Sequence, residues 1–160
     1  MNSSHPGAPP RGHAGFTLVE IMIVVVIIGL LAALAVPGIQ RVNQRSKRSR
    51  FVSDLRVFTQ AFETHSLQNG GWPPNVGPGV VPAGLSTSIQ VSVWTAPTII
   101  GGNWNYDRNI NGVAVAVSVS GNILVTDAEM QIVDGMIDDG DLSTGNFQKI
   151  SGRFMYILEQ

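Results

Sequence analysis

The stretch "HAGFTLVEIMIVVVIIGLLAALAVPG", His13 to Gly38, decides how the rest of the chain is read. Between Phe16 and Val36 lie 21 residues with a single ionisable side chain, Glu20. As a helix this run is about 32 Å long, close to the hydrocarbon thickness of a bilayer. A carboxylate near the middle of a spanning helix costs about 2.5–3.5 kcal/mol, and less near an end. Glu20 therefore needs a partner or access to the headgroups.

Three accounts of the run compete. A secretory signal has a basic first region, an apolar core of about 7–15 residues and a small-residue cleavage site. Ala33-Leu34-Ala35 supplies such a site, but the core is too long, only Arg11 precedes it, and a glutamate lies inside it. A plain membrane anchor accounts for the length and leaves Glu20 unexplained. The third account starts from the order of residues: Gly15, Phe16, Thr17, Leu18, Val19, Glu20, the apolar run, then Pro37.

That order closely resembles the processing and methylation motif of the type IV prepilin superfamily, which includes pilins and the pseudopilins of type II secretion. The resemblance implies that a membrane prepilin peptidase cuts between Gly15 and Phe16 and N-methylates Phe16. The chain is then the substrate of that chemistry and not an enzyme. Cutting creates an α-amino group with a pKa of about 7.7–8.0, largely cationic at neutral pH. Glu20 follows Phe16 by four positions, one helical turn. The family implies that Glu20 pairs mainly with the Phe16 amine of a neighbouring subunit. In an apolar bundle such a pair acts as a register device, because an unpaired buried charge costs several kcal/mol. The simpler alternative is that Glu20 snorkels to the headgroups. Gly29 and Pro37 bracket a segment that unwinds in some assembled filaments of this family, and both residues weaken a helix. Pro37 as a kink at the membrane boundary is the alternative there.

The expected fold is α+β and type IV pilin-like: a long N-terminal helix on a small antiparallel sheet with a minor helix. Residues 1–15 form a leader that is removed, 16–37 a transmembrane and assembly helix, 38–71 its amphipathic continuation, and 72–160 a loop and sheet head. The expected partners are copies of the chain or related pilin-like subunits, a prepilin peptidase, an inner-membrane assembly platform and the membrane itself. Nothing points to nucleic acid. The implied place is the bacterial inner membrane, single-pass with a periplasmic head, and then an extracytoplasmic filament. The competing functions are a membrane-anchored binding module that never polymerises and a secreted protein with a cleaved signal peptide.

The remaining residues agree with such an architecture. Pro37-Gly38 interrupts the helix, which resumes with Phe51, Leu55, Phe58 and Phe62 at spacings of four, three and four on one stripe. Ile39 and Val42 begin that stripe. Asn69-Gly70-Gly71 ends the helix, with Pro73-Pro74 beyond it. Residues 73–88 are a loop by composition. Alternation then predicts strands at Ile89–Trp94 and Val113–Val119, the latter with its four valines on one face. Ser120-Gly121-Asn122 reads as a turn back into "ILVT". "NWNYDRNINGVAVAVSV" also looks like the family's first hairpin after the loop, and "GGWP", Gly70 to Pro73, like its helix-ending turn. Thr126 and the acids that follow it start a short helix carrying Ala128, Met130 or Gln131, Ile132, Met136 and Ile137. "GNFQKI" and "RFMYIL" read as two closing strands. With no cysteine in the chain, pairing of "RFMYILE" into the sheet is what holds the C-terminus.

Charge is unevenly spread beneath a net value of −1. Six of ten basic residues lie between Arg41 and Arg56, and six of eleven acids between Asp127 and Asp141. A basic stem and an acidic segment can meet within one chain or between neighbours; two solvated faces are the plainer reading. By the positive-inside rule alone, the basic residues after the apolar run would leave that side in the cytoplasm. The prepilin motif implies the opposite orientation.

The chemistry-bearing residues are few. His5, His13 and His65 form no cluster, and His65 reads as a packing residue near the helix end. Some major pseudopilins bind calcium in a C-terminal loop, which makes Asp134, Asp138, Asp139, Asp141 and Ser143 candidate oxygen donors. Their spacing is not that of an EF-hand, and a helix C-terminus followed by an Asp-Gly turn accounts for them equally. No other cofactor is expected.

Overall fold

The computed structural model describes residues 15–160, so the leader expected over 1–15 lies, but for Gly15, outside the described residues. Contacts divide the chain into a first unit ending at Val42 and a second, Asn43–Gln160. In the first unit, helix α1 (Leu18–Asn69) begins and runs unbroken through Pro37, where an interruption was expected. Proline removes one N–H from the ladder, but the turns on either side of it keep helical geometry. Large apolar residues from Leu18 to Val36 are all well exposed, Leu34 to 79%. This is the helix long and apolar enough to cross a membrane.

The second unit contains all the buried residues among those described, from Phe51 to Ile157. It therefore carries a complete core of its own. Within it α1 lays Phe51, Leu55, Phe58 and Phe62 against a four-stranded antiparallel sheet of order β1-β2-β4-β3. The strands are β1 (Gly101–Ile110), β2 (Val113–Ile123), β3 (Phe147–Ile150) and β4 (Arg153–Glu159). Two short helices complete it, α2 (Val91–Trp94) and α3 (Asp127–Ile137). Ile39 and Val42, expected to begin the buried stripe, are exposed. The stripe proper starts at Phe51 because the sheet's aromatic residues begin there.

The core is aromatic. Phe51 stacks on Trp104 with centroids 5.1 Å apart, and Phe62 on Tyr106 at 4.5 Å. Phe58 meets Trp94 and Trp104 edge-on at 4.9 and 5.0 Å. Such pairs add about 0.5–1.5 kcal/mol each beyond the area they bury. Trp94 reaches this seam from α2, and its indole N–H donates to the Val80 carbonyl at 2.8 Å. Here the period-two pattern misled: Ile89–Trp94 was expected as a strand, and Val91–Trp94 is a single helical turn. Ile89 and Trp94 are both buried, and over six residues the two periods are hard to tell apart.

The β1–β2 hairpin turns at Asn111-Gly112, both with positive φ, as a two-residue loop between twisted strands requires. The turn expected at Ser120–Asn122 is absent, because β2 continues through Gly121 to Ile123 opposite β1. Gly101 and Gly102, across the ladder from that end, allow the register to shift. A Cβ on Gly101 would lie 2.5 Å from the Asn122 carbonyl oxygen. Val115, Val117 and Val119 face the aromatic seam, whereas Val113 joins Ala116, Met155 and Ile157 in a second small cluster.

The closing strands form as expected, and β4 is an inner strand between β2 and β3. A polar cluster adds to that pinning. Buried Asp107 of β1 accepts from Asn105 at 2.8 Å, from the Ser118 hydroxyl of β2, and from Arg153 of β4 at 2.6 Å. Trp72, just past α1, donates its indole N–H to Glu159 at the end of β4. Arg56 donates to the Met136 carbonyl at 3.2 Å, so a cation from α1 serves the last turn of α3, which has none of its own.

Truncating Phe58 removes edge-on contacts to two tryptophans at once. Phe58→Ala is expected to destabilise residues 43–160 by about 3–5 kcal/mol, read by urea denaturation. A similarly placed exposed change, Val57→Ala, should stay within about 0.5 kcal/mol.

Candidate functional site

Two regions carry the residues singled out from the sequence. At the start of α1, Gly15, Phe16 and Thr17 precede the first helical residue and are exposed, Phe16 to 77%. Thr17 Oγ1 accepts from the Glu20 N–H at 3.2 Å, and Glu20 Oε2 accepts from the Thr17 N–H at 3.5 Å. This reciprocal pattern is a capping box, which satisfies two of the helix's four unpartnered N–H groups. The Gly15–Phe16 peptide therefore lies before the first helical residue. Glu20, placed for an intersubunit pair by the sequence, has a weak partner within its own chain. Gly29 and Pro37 are both inside α1, and nothing lies within 4 Å of a Cβ built on Gly29.

The second region is the C-terminal end of α3 and the turn after it. Helix α3 starts with a capping box, Thr126 to Glu129. It turns Met130, Val133 and Asp134 inward, while Ile132 and Met136, expected among its apolar positions, are exposed. Asp134 is fully buried, and neither of its carboxylate oxygens has a hydrogen-bond partner. One carboxylate oxygen each from Asp134, Asp138 and Asp139 lies within 4.8 Å of the others. Burial raises the Asp134 pKa to about 6, with the charges of Asp139 and Asp138 adding to the rise; the Gly140 N–H lies near enough to oppose it in part but falls short of hydrogen-bond geometry.

The other acids are differently engaged. Asp138 Oδ2 accepts from the backbone N–H of Asn146 and of Phe147, which ties the turn to the start of β3. Gly145 lies so close to this carboxylate that any side chain there would collide with it. Asp139 accepts from the Asp141 N–H at 2.9 Å and the Thr144 hydroxyl at 2.7 Å, which hold its pKa below the ordinary carboxylate value. Asp141 accepts from the Ser143 hydroxyl and N–H, so it organises the turn and stands outside the trio. An acid with both oxygens unpartnered in the interior, beside two more carboxylates, fits a hard cation with oxygen ligands. Its position was legible: Met130, Val133, Asp134 and Ile137 share one helix face, so Asp134 is the acid on the apolar side.

His65 packs as expected. Its ring lies over Gly84, where a Cβ would come within 2.7 Å, and its Nδ1 is 3.2 Å from Asn69 Nδ2. The Asp107–Arg153 cluster went unread in the sequence. Asn105 and Asp107 alternate with Trp104 and Tyr106, a pattern that ordinarily places polar residues in water.

Comparison with known proteins bears on the N-terminal motif and on the fold. Residues 10–36 match the family described as the prokaryotic N-terminal methylation motif. The type II secretion system core protein G of Klebsiella pneumoniae is 42% identical over 59 residues, covering 37% of this chain and 42% of that protein. The core protein G of Escherichia coli strain K12 is 29% identical over 134 residues, 81% of this chain and 85% of that one. The chain spans less than half the length of the first relatives it matches, 42% and 44% of the two Klebsiella and Aeromonas hydrophila proteins. In structure, the major type IV pilin PilA1 of Clostridium difficile superposes with a TM-score of 0.53 at 14% identity, over 73% of this chain and 97% of that one. That likeness bears on the fold, and the fold is the pilin one: a long helix against an antiparallel sheet. Motif, relatives and fold all point the same way: the chain carries the prokaryotic N-terminal methylation motif, is similar in sequence to type II secretion core G proteins, and has a pilin-like fold.

Proposed function

We propose that the protein is a structural subunit of a type IV pilus-like filament or type II secretion pseudopilus. A prepilin peptidase processes it, and it polymerises through its N-terminal helix. The observation that carries this reading is an uninterrupted Gly15–Glu20 motif on an apolar helix with no buried residue before Phe51, followed by a head with a complete core. A helix so exposed needs either lipid or other helices around it. In the proposed sequence of events it is held first in the inner membrane, with the head on the periplasmic side. It then enters a bundle of like helices under an assembly platform. No catalytic role is assigned to the chain. After cleavage the Phe16 amine of one copy meets Glu20 of the next, and Glu20 exchanges its weak tie to Thr17 for that stronger partner.

Within this class the carboxylate trio around buried Asp134 favours the pseudopilin reading. Asp134, Asp138 and Asp139 would hold calcium, with the remaining oxygens supplied by the turn. The cation would neutralise the one buried charge that nothing else partners.

The mature N-terminus tests the class directly. Mass spectrometry should find a chain that begins at N-methylated Phe16. A start at Val36 would mean secretion by an ordinary signal, and an intact Met1 would sink both readings. Glu20→Ala should still insert and be cleaved but give no filaments; normal filaments from it would refute the pairing.

Asp134 allows a separate test on residues 43–160. A folded-state pKa near 6, above the ordinary 3.8, means that protonation favours the fold. This contribution is fully present below about pH 4 and is lost as pH rises through about 6. In chelator, stability should therefore fall across that window, and Asp134→Asn should flatten the fall and raise the melting temperature at neutral pH. Calcium at a hundredfold excess over its Kd should raise the wild-type melting temperature by on the order of 10 °C and leave Asp134→Asn unmoved. If calcium moves neither protein, the segment is an Asp-Gly turn after a helix.

A further inference from the structure

Of the six basic residues between Arg41 and Arg56, Arg56 serves the end of α3, but Arg41, Arg45, Lys47 and Arg48 have no use in the account so far. Arg45, Lys47 and Arg48 form no ion pair among the described residues, whereas Arg50 at least approaches Asp54, at 3.9 Å. The acidic segment does not meet them within the chain: Asp138, Asp139 and Asp141 accept from backbone N–H groups and hydroxyls of their own turn.

The surroundings of these cations are apolar. Lys47 and Arg48 stand at the lip of a groove of about 280 Å³ whose lining includes Ile100, Leu124, Val125 and Met130. Leu124 is 74% exposed beside it. Arg48 also lines a second groove, of about 330 Å³, with Arg45, Ile132 and Met136. The two grooves flank α3, and Ile132 and Met136 are the apolar residues that this helix turns outward. One acid, Glu129, lines the first groove, and its carboxylate is engaged with the Thr126 N–H.

We infer that this face of the head, Arg45, Lys47 and Arg48 with the apolar grooves beside α3, binds anionic phospholipid. The phosphates would lie on the three cations and the apolar part of the lipid on Leu124 and Ile132. A membrane is favoured over a protein partner for two reasons. The cations follow the apolar run closely in sequence, Arg45 coming nine residues after Val36. Cations edging exposed aliphatic side chains also match a surface that is anionic at the headgroup and apolar beneath it, at about 1 kcal/mol per cation near such a surface. The inference rests on the reading of residues 16–37 as membrane-inserted. It gives the basic residues after the span a role at the leaflet that the head faces.

The test uses residues 43–160, which hold the whole core, in sedimentation with vesicles. The vesicles are phosphatidylcholine alone, or phosphatidylcholine with one-third phosphatidylglycerol. The head should bind the anionic vesicles and not the neutral ones, and high salt should release it. Arg45→Gln, Lys47→Gln and Arg48→Gln together should weaken binding about a hundredfold with an unchanged melting temperature. Leu124→Ser, which alters no charge, should weaken it severalfold. Equal binding to both vesicles, no binding, or full binding by the triple variant would overturn the inference. So would a concentration-dependent dimer, abolished by the triple variant, in place of vesicle binding; that would assign the face to the acidic segment of a second copy. Because this fragment lacks residues 16–37, failure here is distinct from failure of the filament reading, which is decided by the mature N-terminus.

Discussion

The contact between one stripe of α1 and the inner face of β1 organises the head. Phe51, Phe58 and Phe62 interleave with Trp104 and Tyr106, and each ring in that row is almost fully buried. Once this seam forms, the inward face of each strand is decided, since a slip of one residue would turn Trp104 and Tyr106 to the other face and bring Asn105 and Asp107 against the phenylalanines. The loop after α1 is fixed by the same seam, because Trp94 must reach it and brings Leu85 and Ile89 into the core. An aromatic core suits a head of this size, in which each side chain must bury much surface.

The C-terminus is secured by two means that together serve where the chain has no cysteine. Strand β4 is inserted between β2 and β3, so its backbone groups are paired on both sides. On the sheet's other face Arg153 reaches past β2 to Asp107 on β1, and Ser118 completes that carboxylate's partners from between. A buried carboxylate is costly, and three donors with one full charge offset that cost. The same accounting marks Asp134 as different. It is as buried as Asp107, yet nothing within the described residues satisfies it. Two buried acids in one small head thus divide into one whose partners the fold completes and one whose oxygens it leaves without a hydrogen bond.

Much of this was legible because periodicity and turn chemistry are local. The α1 stripe, the Thr126 cap and the closing strands follow from spacing and residue type, whereas the first hairpin was legible only as a resemblance and its Asn111-Gly112 turn went unread. The errors came where two patterns coincide over few residues. Ile89–Trp94 fits both a strand and one helical turn, and the need to bring Trp94 to Phe58 decided for the turn. Gly121 looked like a hairpin tip, but β2 crosses it because β1 lies opposite with a matching register shift at Gly101. Asn105 and Asp107 read as solvent-facing residues; only the sheet order shows Arg153 close enough to cover them.

By itself the sequence determined the N-terminal motif, contiguous from Gly15 to Glu20, and the long apolar run that follows it. It also determined which residues of α1 form the core, since a helix places residues three and four apart on one face wherever it is. The tertiary structure decided what depends on residues far apart in the chain. Asp134 became an unpartnered acid only when α3 packed inward. Arg153 became Asp107's partner only across an intervening strand. Arg45, Lys47 and Arg48 came beside apolar grooves only when α3 lay alongside α1. Local spacing fixes which face a side chain is on, but the burial and charge it meets there are set by whatever the fold brings against that face.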